Sequence, residues 1–326
     1  MDRLCPLKSV AMAKNYFEIR EACPACASTS TKEIYRAKFN EPPISDYLNR
    51  FYNPQGGVEF EYLEGESYIL NECANCGLVY QKAIANDFLM EKLYEEWIDP
   101  KIVLENKTKN RNLNDYLALA REIETIIRHF DVPLNDLTFF DFGSGWGEWC
   151  NLAKGYGCLA FGSELSQTRI DHSRKLGVPI IPYEDIPEHR FDYINTEQVF
   201  EHIPKPLETL HYLTQSLKPH GIIKISVPNG GDIKRLLSVM DWSAPKGSEN
   251  SLNPVAPLEH INCFSQRSIL KMTEKLGLTP VQLSSTKNLK QIDYSLRDVL
   301  SPIHDKIKHR KYGSTYLFFQ KTATTA

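Results

Sequence analysis

No apolar run in the 326-residue sequence reaches the roughly 20 residues that a membrane-spanning helix requires. The opening stretch MDRLCPLKSVAMAKNYFEIR has no continuous apolar core and predicts no secretion signal. Surplus charge is missing too: a formal net charge of -3 creates no general attraction to nucleic acid or to anionic membranes. Internal repeats and low-complexity tracts are absent, which argues against solenoid or disordered architectures. What remains is the composition of an ordinary globular protein, 42% hydrophobic and 24% charged. The length exceeds one compact core, so a full domain with a smaller companion is expected.

The eight cysteines fall into two groups. Cys5, Cys150, Cys158 and Cys263 are scattered singles, whereas Cys23-Pro-Ala-Cys26 and Cys73-Ala-Asn-Cys76 are two CxxC pairs. That distribution suits a reducing cytoplasm and one metal site better than a disulfide framework. Each CxxC knuckle holds two thiolates at tetrahedral spacing, and Gly77 permits the turn that lets N–H groups bond sulfur. Cys23, Cys26, Cys73 and Cys76 are therefore expected to hold a structural zinc ion, with no open position for chemistry. They lie in a segment rich in turns and short β-like runs. Residues 1–82 are accordingly read as a small zinc-ribbon β module.

Residues 83–109 are read as a helical linker, with Asn86 or Asp87 capping the helix NDFLMEKLYEEWIDP. The next segment has apolar residues at Leu113, Tyr116, Leu117, Ala120, Ile123, Ile126, Ile127 and Phe130, a period near 3.6 that predicts an amphipathic helix. From Leu137 the pattern alternates: strand LTFFDFG, helix EWCNLAKGYG, strand CLAFGSEL, helix SQTRIDHSRKLG, then short strands VPIIPY and FDYINTEQ. A helix PLETLHYLTQSLKPHG and a strand IIKISVPN follow. After a gap come a helix SQRSILKMTEKLG, a strand LTPVQLSS, a polar basic helical stretch and a closing strand STYLFFQK. Repeated βα units predict an α/β, Rossmann-like domain over 110–326: a seven-stranded, mostly parallel sheet covered by helices on both faces.

DFGSGWGEW, residues 141–149, joins the first of these strands to a helix. Glycines at Gly143, Gly145 and Gly147 let the backbone approach a ligand without a Cβ in the way. The helix N-terminus adds unpaired N–H groups. The glycines alone fit NAD as well as S-adenosylmethionine. Asp141 discriminates between them, because its carboxylate would repel a pyrophosphate but can pair with the α-amino group of a methionine moiety. Glu164, at the end of the next strand, is placed to accept both ribose hydroxyls. Asp185 follows the third strand where a carboxylate can accept an adenine amino group.

The ordered set FFDFGSGWGEW, FGSELS, YEDIPEHRFDYINTEQVFEHIPKPLETL and LKPHGIIKISVPN resembles the class I S-adenosylmethionine-dependent methyltransferases over about residues 110–321. The resemblance implies that Asp141, Gly143, Ser144 and Gly145 hold the methionine end, while Trp146 either walls the methionine tail or packs beneath the sheet edge. Glu164 and Leu165 would meet the ribose, Asp185 and Ile186 the adenine, and Glu197 and Gln198 would border the methyl-transfer pocket. The closing strand resembles the antiparallel last strand of that sheet. With the four-cysteine module, CANCGLVYQ and LYEEWID, the chain is similar to bacterial sugar and polysaccharide-pathway C-methyltransferases. That likeness implies a small-molecule acceptor, a nucleotide-linked sugar or other glycan or natural-product precursor, and no nucleic-acid partner.

A base assists transfer to a hydroxyl or carbon acid. His202, in VFEHIPKP, and His260, in PLEHINCFS, are the catalytic expectations, joined by Glu197. Two insertions, 230–259 and 286–312, are expected to cover the pocket mouth. The second holds Lys287, Lys290, Arg297, Lys306, Lys308, Arg310 and Lys311, which form either a solvated face or a seat for an anionic acceptor. The rival readings are an NAD(P)-dependent oxidoreductase, a zinc-ribbon RNA methyltransferase and an inactive binding scaffold.

Overall fold

The structure is a computed structural model that describes residues 15–130, 132–283 and 314–321. The insertion 286–312, with its basic residues, lies outside the described residues. Among these residues no helix is long and apolar enough to cross a membrane.

The amino-terminal region comprises β1 (Phe17–Ile19), β2 (Thr31–Lys38), α1 (Ile44–Tyr52), β3 (Ser67–Cys73), β4 (Val79–Gln81) and β5 (Ala83–Ala85). Helices α2 (Asp87–Lys92), α3 (Pro100–Asn110) and α4 (Leu113–His129) follow. The side chain of Asn86 accepts from the Leu89 N–H, as its capping role predicts. Asn112 and Asp115 close a reciprocal capping box on α4.

The sheet domain then alternates β6 (Thr138–Phe142), α5 (Glu148–Gly155), β7 (Leu159–Ser163), α6 (Gln167–Lys175), β8 (Phe191–Asn195), α7 (Pro206–Gln215) and β9 (Leu217–Pro228). It ends with α8 (Ile233–Val239), β10 (Asn262–Cys263), α9 (Gln266–Glu274), β11 (Leu278–Val281) and β12 (Ser314–Lys321). The strand order is β11-β12-β9-β8-β6-β7. β7, β6, β8 and β9 run parallel, while β12 lies antiparallel to both β9 and β11. Side chains alternate between faces as a pleat requires. Phe140, Phe142 and Ile223 enter one buried cluster, while Phe139, Tyr193 and Ile222 enter another with Ile123 and Ile126 of α4 and Trp149 of α5.

Among the described residues this sheet has six strands where seven were expected. The segment VPIIPY makes only an isolated parallel bridge between Gly162 and Ile180. Pro179 and Pro182 lack N–H donors, so the ladder cannot extend in either direction. Pairing is limited to the Gly162 N–H on the Pro179 carbonyl and the Ile181 N–H on the Gly162 carbonyl.

The two regions share a sheet. β10 pairs antiparallel with β4, completing the four-stranded order β10-β4-β3-β2. The insertion 230–259 contributes to the same packing: Trp242, Leu252, Val255 and Leu258 are buried with Phe39, Leu48, Tyr52 and Tyr68. The insertion was expected as a cover over the pocket mouth; its apolar half is core for the amino-terminal region.

Candidate active site

The glycine loop leaves β6 with three left-handed residues, Gly143, Gly145 and Gly147, at φ of 74°, 54° and 73°. A Cβ at Gly143 would meet Val199 at 2.7 Å and one at Gly147 would meet Ser173 at 2.7 Å, whereas Gly145 faces open space. Only Gly145 therefore leaves room beside the backbone for a ligand. The Glu164 carboxylate accepts from the N–H groups of Gly145 (2.9 Å), Leu165 (2.9 Å) and Ser166 (3.1 Å). These bonds pin the acid against the loop. The Ser144 and Ser166 hydroxyls nearby are buried without a hydrogen-bond partner.

Asp141 is buried, and Asn195 on the neighbouring strand donates to its Oδ1 at 2.8 Å. Burial raises its pKa to about 7 against the Asn195 hydrogen bond that lowers it. A buried carboxylate this short of donors suits a cationic ligand group. Leu165 is 88% exposed beside Glu164. Trp146, by contrast, is buried, with its ring edge-on to His172 at 5.2 Å and under the Arg169 guanidinium at 5.8 Å. It packs on α6. Asp185 is partly exposed, whereas Ile186 is fully buried in the core. The Ile186 side chain therefore does not reach an adenine, because the sheet's apolar core has claimed it.

At the tip of β8 the expected catalytic Glu197 is held on both oxygens, by Ser226 Oγ at 2.9 Å and by Lys224 Nζ at 2.7 Å. Lys224 is buried in the middle of β9 and also pairs with Glu122 of α4 at 2.8 Å. Glu197 thus serves as one of two counter-ions to a buried ammonium, while its own side chain stays 46% exposed. Gln198 has a left-handed backbone at φ 54° and donates to Ser314 Oγ at 3.1 Å. It lines a cleft with Asn229, Asp232, Arg235, Lys246, Ser251 and Asn253.

His202 and His260 come together beside this cleft, with ring centroids 4.9 Å apart and edge-to-face. Asn262 of β10 sets the pairing by donating to the carbonyls of Phe200 (3.0 Å) and Ile203 (2.7 Å), either side of His202. Its Oδ1 accepts from Arg20 of the amino-terminal region at 2.8 Å. His202 Nδ1 lies 2.9 Å from the Glu259 carbonyl and 2.9 Å from the Tyr94 hydroxyl. His260 Nδ1 is bonded to the Asn253 carbonyl. Desolvation lowers the His202 pKa to about 4 and takes His260 well below its ordinary value. Both rings are neutral.

Three partners of this pair were not anticipated. Glu201 is 1% exposed and burial raises its pKa to about 8; Glu259, also buried, is raised to about 7. Tyr94 is the third. Glu201 adjoins His202 in the phrase already singled out, so an acid next to a histidine was the available signal. Glu259 adjoins His260 in the same way, whereas Tyr94 gave no signal, because only the fold brings it there.

The four cysteine sulfurs lie within 4.8 Å of one another. Cys23 and Cys76 are 3.5 Å apart, as are Cys26 and Cys73. A tetrahedral ion with sulfur at about 2.3 Å sets its ligands about 3.8 Å apart, so the cluster fits zinc with little movement. Each knuckle ends in a left-handed residue, Ala27 (φ 60°) and Gly77 (φ 77°), whose N–H bonds back to the carbonyl of Cys23 or Cys73.

A family model described as a methyltransferase domain matches residues 110–283. The chain belongs to this methyltransferase family. It is an S-adenosylmethionine-dependent methyltransferase, and the room at Gly145, the Asp141 carboxylate and the orphaned Ser144 hydroxyl fit that donor. No curated protein matches the sequence significantly. Among solved structures the methyltransferase is similar to the plantazolicin methyltransferase BpumL in complex with SAH, at 16% identity and TM-score 0.46 over 72% of this chain and 93% of that one. It is also similar to magnesium protoporphyrin IX methyltransferase from Synechocystis with bound SAH, at 11% identity and TM-score 0.46, covering 72% and 100%. A further similar structure is a methyltransferase from Archaeoglobus fulgidus, at 17% identity and TM-score 0.38, covering 72% and 99%.

Proposed function

We propose that the enzyme methylates a polyhydroxylated small molecule, a nucleotide-linked sugar or related glycan or natural-product precursor. The observation that carries this reading is the cleft beside the histidine pair. Its lining from Gln198 to Asn253 is dense in amides, hydroxyls and charges, the complement of a sugar rather than of an apolar ring. Arg235 and Lys246 in that lining suit a phosphorylated acceptor.

On the donor side, Asp141 receives the α-ammonium of S-adenosylmethionine, and the unpartnered Ser144 hydroxyl, beside the open face of Gly145, its carboxylate. Glu164 orients the ribose, and Leu165 and Asp185 flank the remainder of the nucleoside. S-adenosylmethionine supplies an activated methyl group, so the protein's main tasks are alignment and water exclusion. On the acceptor side, Nε2 of His202 or His260 takes up the proton that a hydroxyl or carbon acid gives up. Gln198 borders the space between the two. The four cysteines hold a structural zinc ion, and the described part of the amino-terminal module supports the loop that carries His260. Fewer than half a zinc per freshly purified chain would count against that assignment.

The test is transfer of a labelled methyl group to a panel of nucleotide-linked sugars. H260A or H202A should cut turnover while S-adenosylmethionine affinity stays near that of the parent. Full turnover in both variants overturns the base assignment, and labelling of none of the panel overturns the acceptor class.

A further inference from the structure

Glu201, His202 and His260 form a second group of ligand-type side chains, with one potential ligand atom from each lying within 4.8 Å of the others. His202 Nε2 is 3.8 Å from Glu201 Oε1, too far for a hydrogen bond. The tautomers follow from the partners. A backbone carbonyl can only accept, so Nδ1 carries the proton on His202, facing Glu259, and on His260, facing Asn253. Both Nε2 atoms are left with a bare lone pair. Imidazoles anchored through Nδ1–H to a carbonyl, with Nε2 free, are arranged as metal ligands usually are.

Glu201 supplies the independent observation. Its carboxyl group is 1% exposed, and neither oxygen has a hydrogen-bond partner among the described residues. Leaving such a group unpaired in the interior is costly. Two lone pairs and a carboxyl group without a hydrogen-bond partner meet here, and a cation that displaces the carboxyl proton satisfies all three.

We propose that Glu201, His202 and His260 hold a divalent transition-metal ion. Two imidazoles and one carboxylate favour zinc, cobalt, iron or manganese over calcium or magnesium. Three protein ligands leave coordination positions open, unlike the closed four-sulfur set. An ion there engages both Nε2 lone pairs, so the histidine base proposed above acts only in the metal-free protein; binding of the ion does not rest on that reading.

The experiment uses the full chain with its cysteine site loaded and Co2+ alone as the probe, without donor or acceptor. Calorimetry should give one saturable Co2+ per chain. Its visible spectrum should lack the intense thiolate-to-cobalt bands that replacement of ions at the cysteines would produce. E201Q and H260Q should each weaken binding at least tenfold, and anomalous scattering from a Co2+-soaked crystal should place the ion between Glu201 and the two Nε2 atoms. Absence of saturable uptake, parent-like affinity in both variants, or an ion located elsewhere overturns the proposal. Should E201Q fail to fold, H260Q and the crystallographic position still decide. Co2+ bound at this site in a protein that methylates no sugar would sink the acceptor reading and leave the metal site standing.

Discussion

The four-sulfur cluster and the Glu201–His202–His260 cluster are both compact groups of ligand-type side chains, yet they are built in opposite ways. The cysteines sit in two local knuckles whose turns fix each pair over four residues. The histidines come from distant segments and meet only because Asn262 bridges β10 to the 200–203 turn. The sulfur group is complete in itself, with four ligands for a four-coordinate ion. The histidine group has three ligands and a cleft alongside. Local construction serves folding, and assembly from afar serves chemistry, because the second kind of site exists only once the whole domain has formed.

The largest effect expected from breaking this contrast is at the cysteines. C73S or a strong chelator should remove stabilisation on the order of 10 kcal/mol, seen as collapse of soluble yield or of the circular dichroism spectrum. C150S, outside the cluster, should leave zinc content unchanged. A stable, zinc-free C73S protein would show that the knuckles hold without metal.

H260A tests the other half. Its melting temperature should move far less than that of C73S, while turnover falls by roughly 10²–10⁴-fold. Equal damage to stability and turnover would erase the distinction between the two clusters.

A smaller effect sharpens the donor side. Asp141 is raised from 3.8 to about 7 in the fold. Its protonated form therefore stabilises the folded state at low pH, a contribution lost as pH rises from about 4 through about 7. Donor binding runs the other way, because an α-ammonium group needs the ionised carboxylate. Affinity for S-adenosylmethionine should weaken by up to tenfold per pH unit below about 7 and level off above it, measured by calorimetry. In D141N this slope should vanish. A slope that survives in D141N assigns the effect to another group.

The difference in construction also explains what the sequence revealed. The CxxC knuckles, the glycine loop and the strand ends carrying Asp141 and Glu164 are readable because short-range spacing determines their geometry. STYLFFQK was legible as an antiparallel strand and forms β12 over the same residues. VPIIPY was over-read, since its apolar character outweighed the two prolines that deny it a ladder. The ion pair of Glu197 was missed for a different reason: its partner Lys224 lies in IIKISV on another strand, and a lysine amid apolar residues was the unused sign of it. Ile186 and Trp146 could be placed near the cofactor by position, but only packing determines where a side chain points.

The pairing of β4 with β10 has a consequence for how the chain is made. Tyr80 faces Asn262 across the ladder, the Gln81 N–H donates to the Ile261 carbonyl at 2.9 Å, and the Gln81 side chain reaches the carbonyls of Ala256 and His260 at 3.1 and 3.2 Å. At a synthesis rate of roughly 5–20 residues per second, β4 emerges from the ribosome about ten to forty seconds before its partner. Throughout that interval the nascent ribbon carries an open strand edge, a template for pairing with other chains. The cysteine knuckles are already available then, so a metal ion captured early holds the unfinished sheet in register until its last strand is translated.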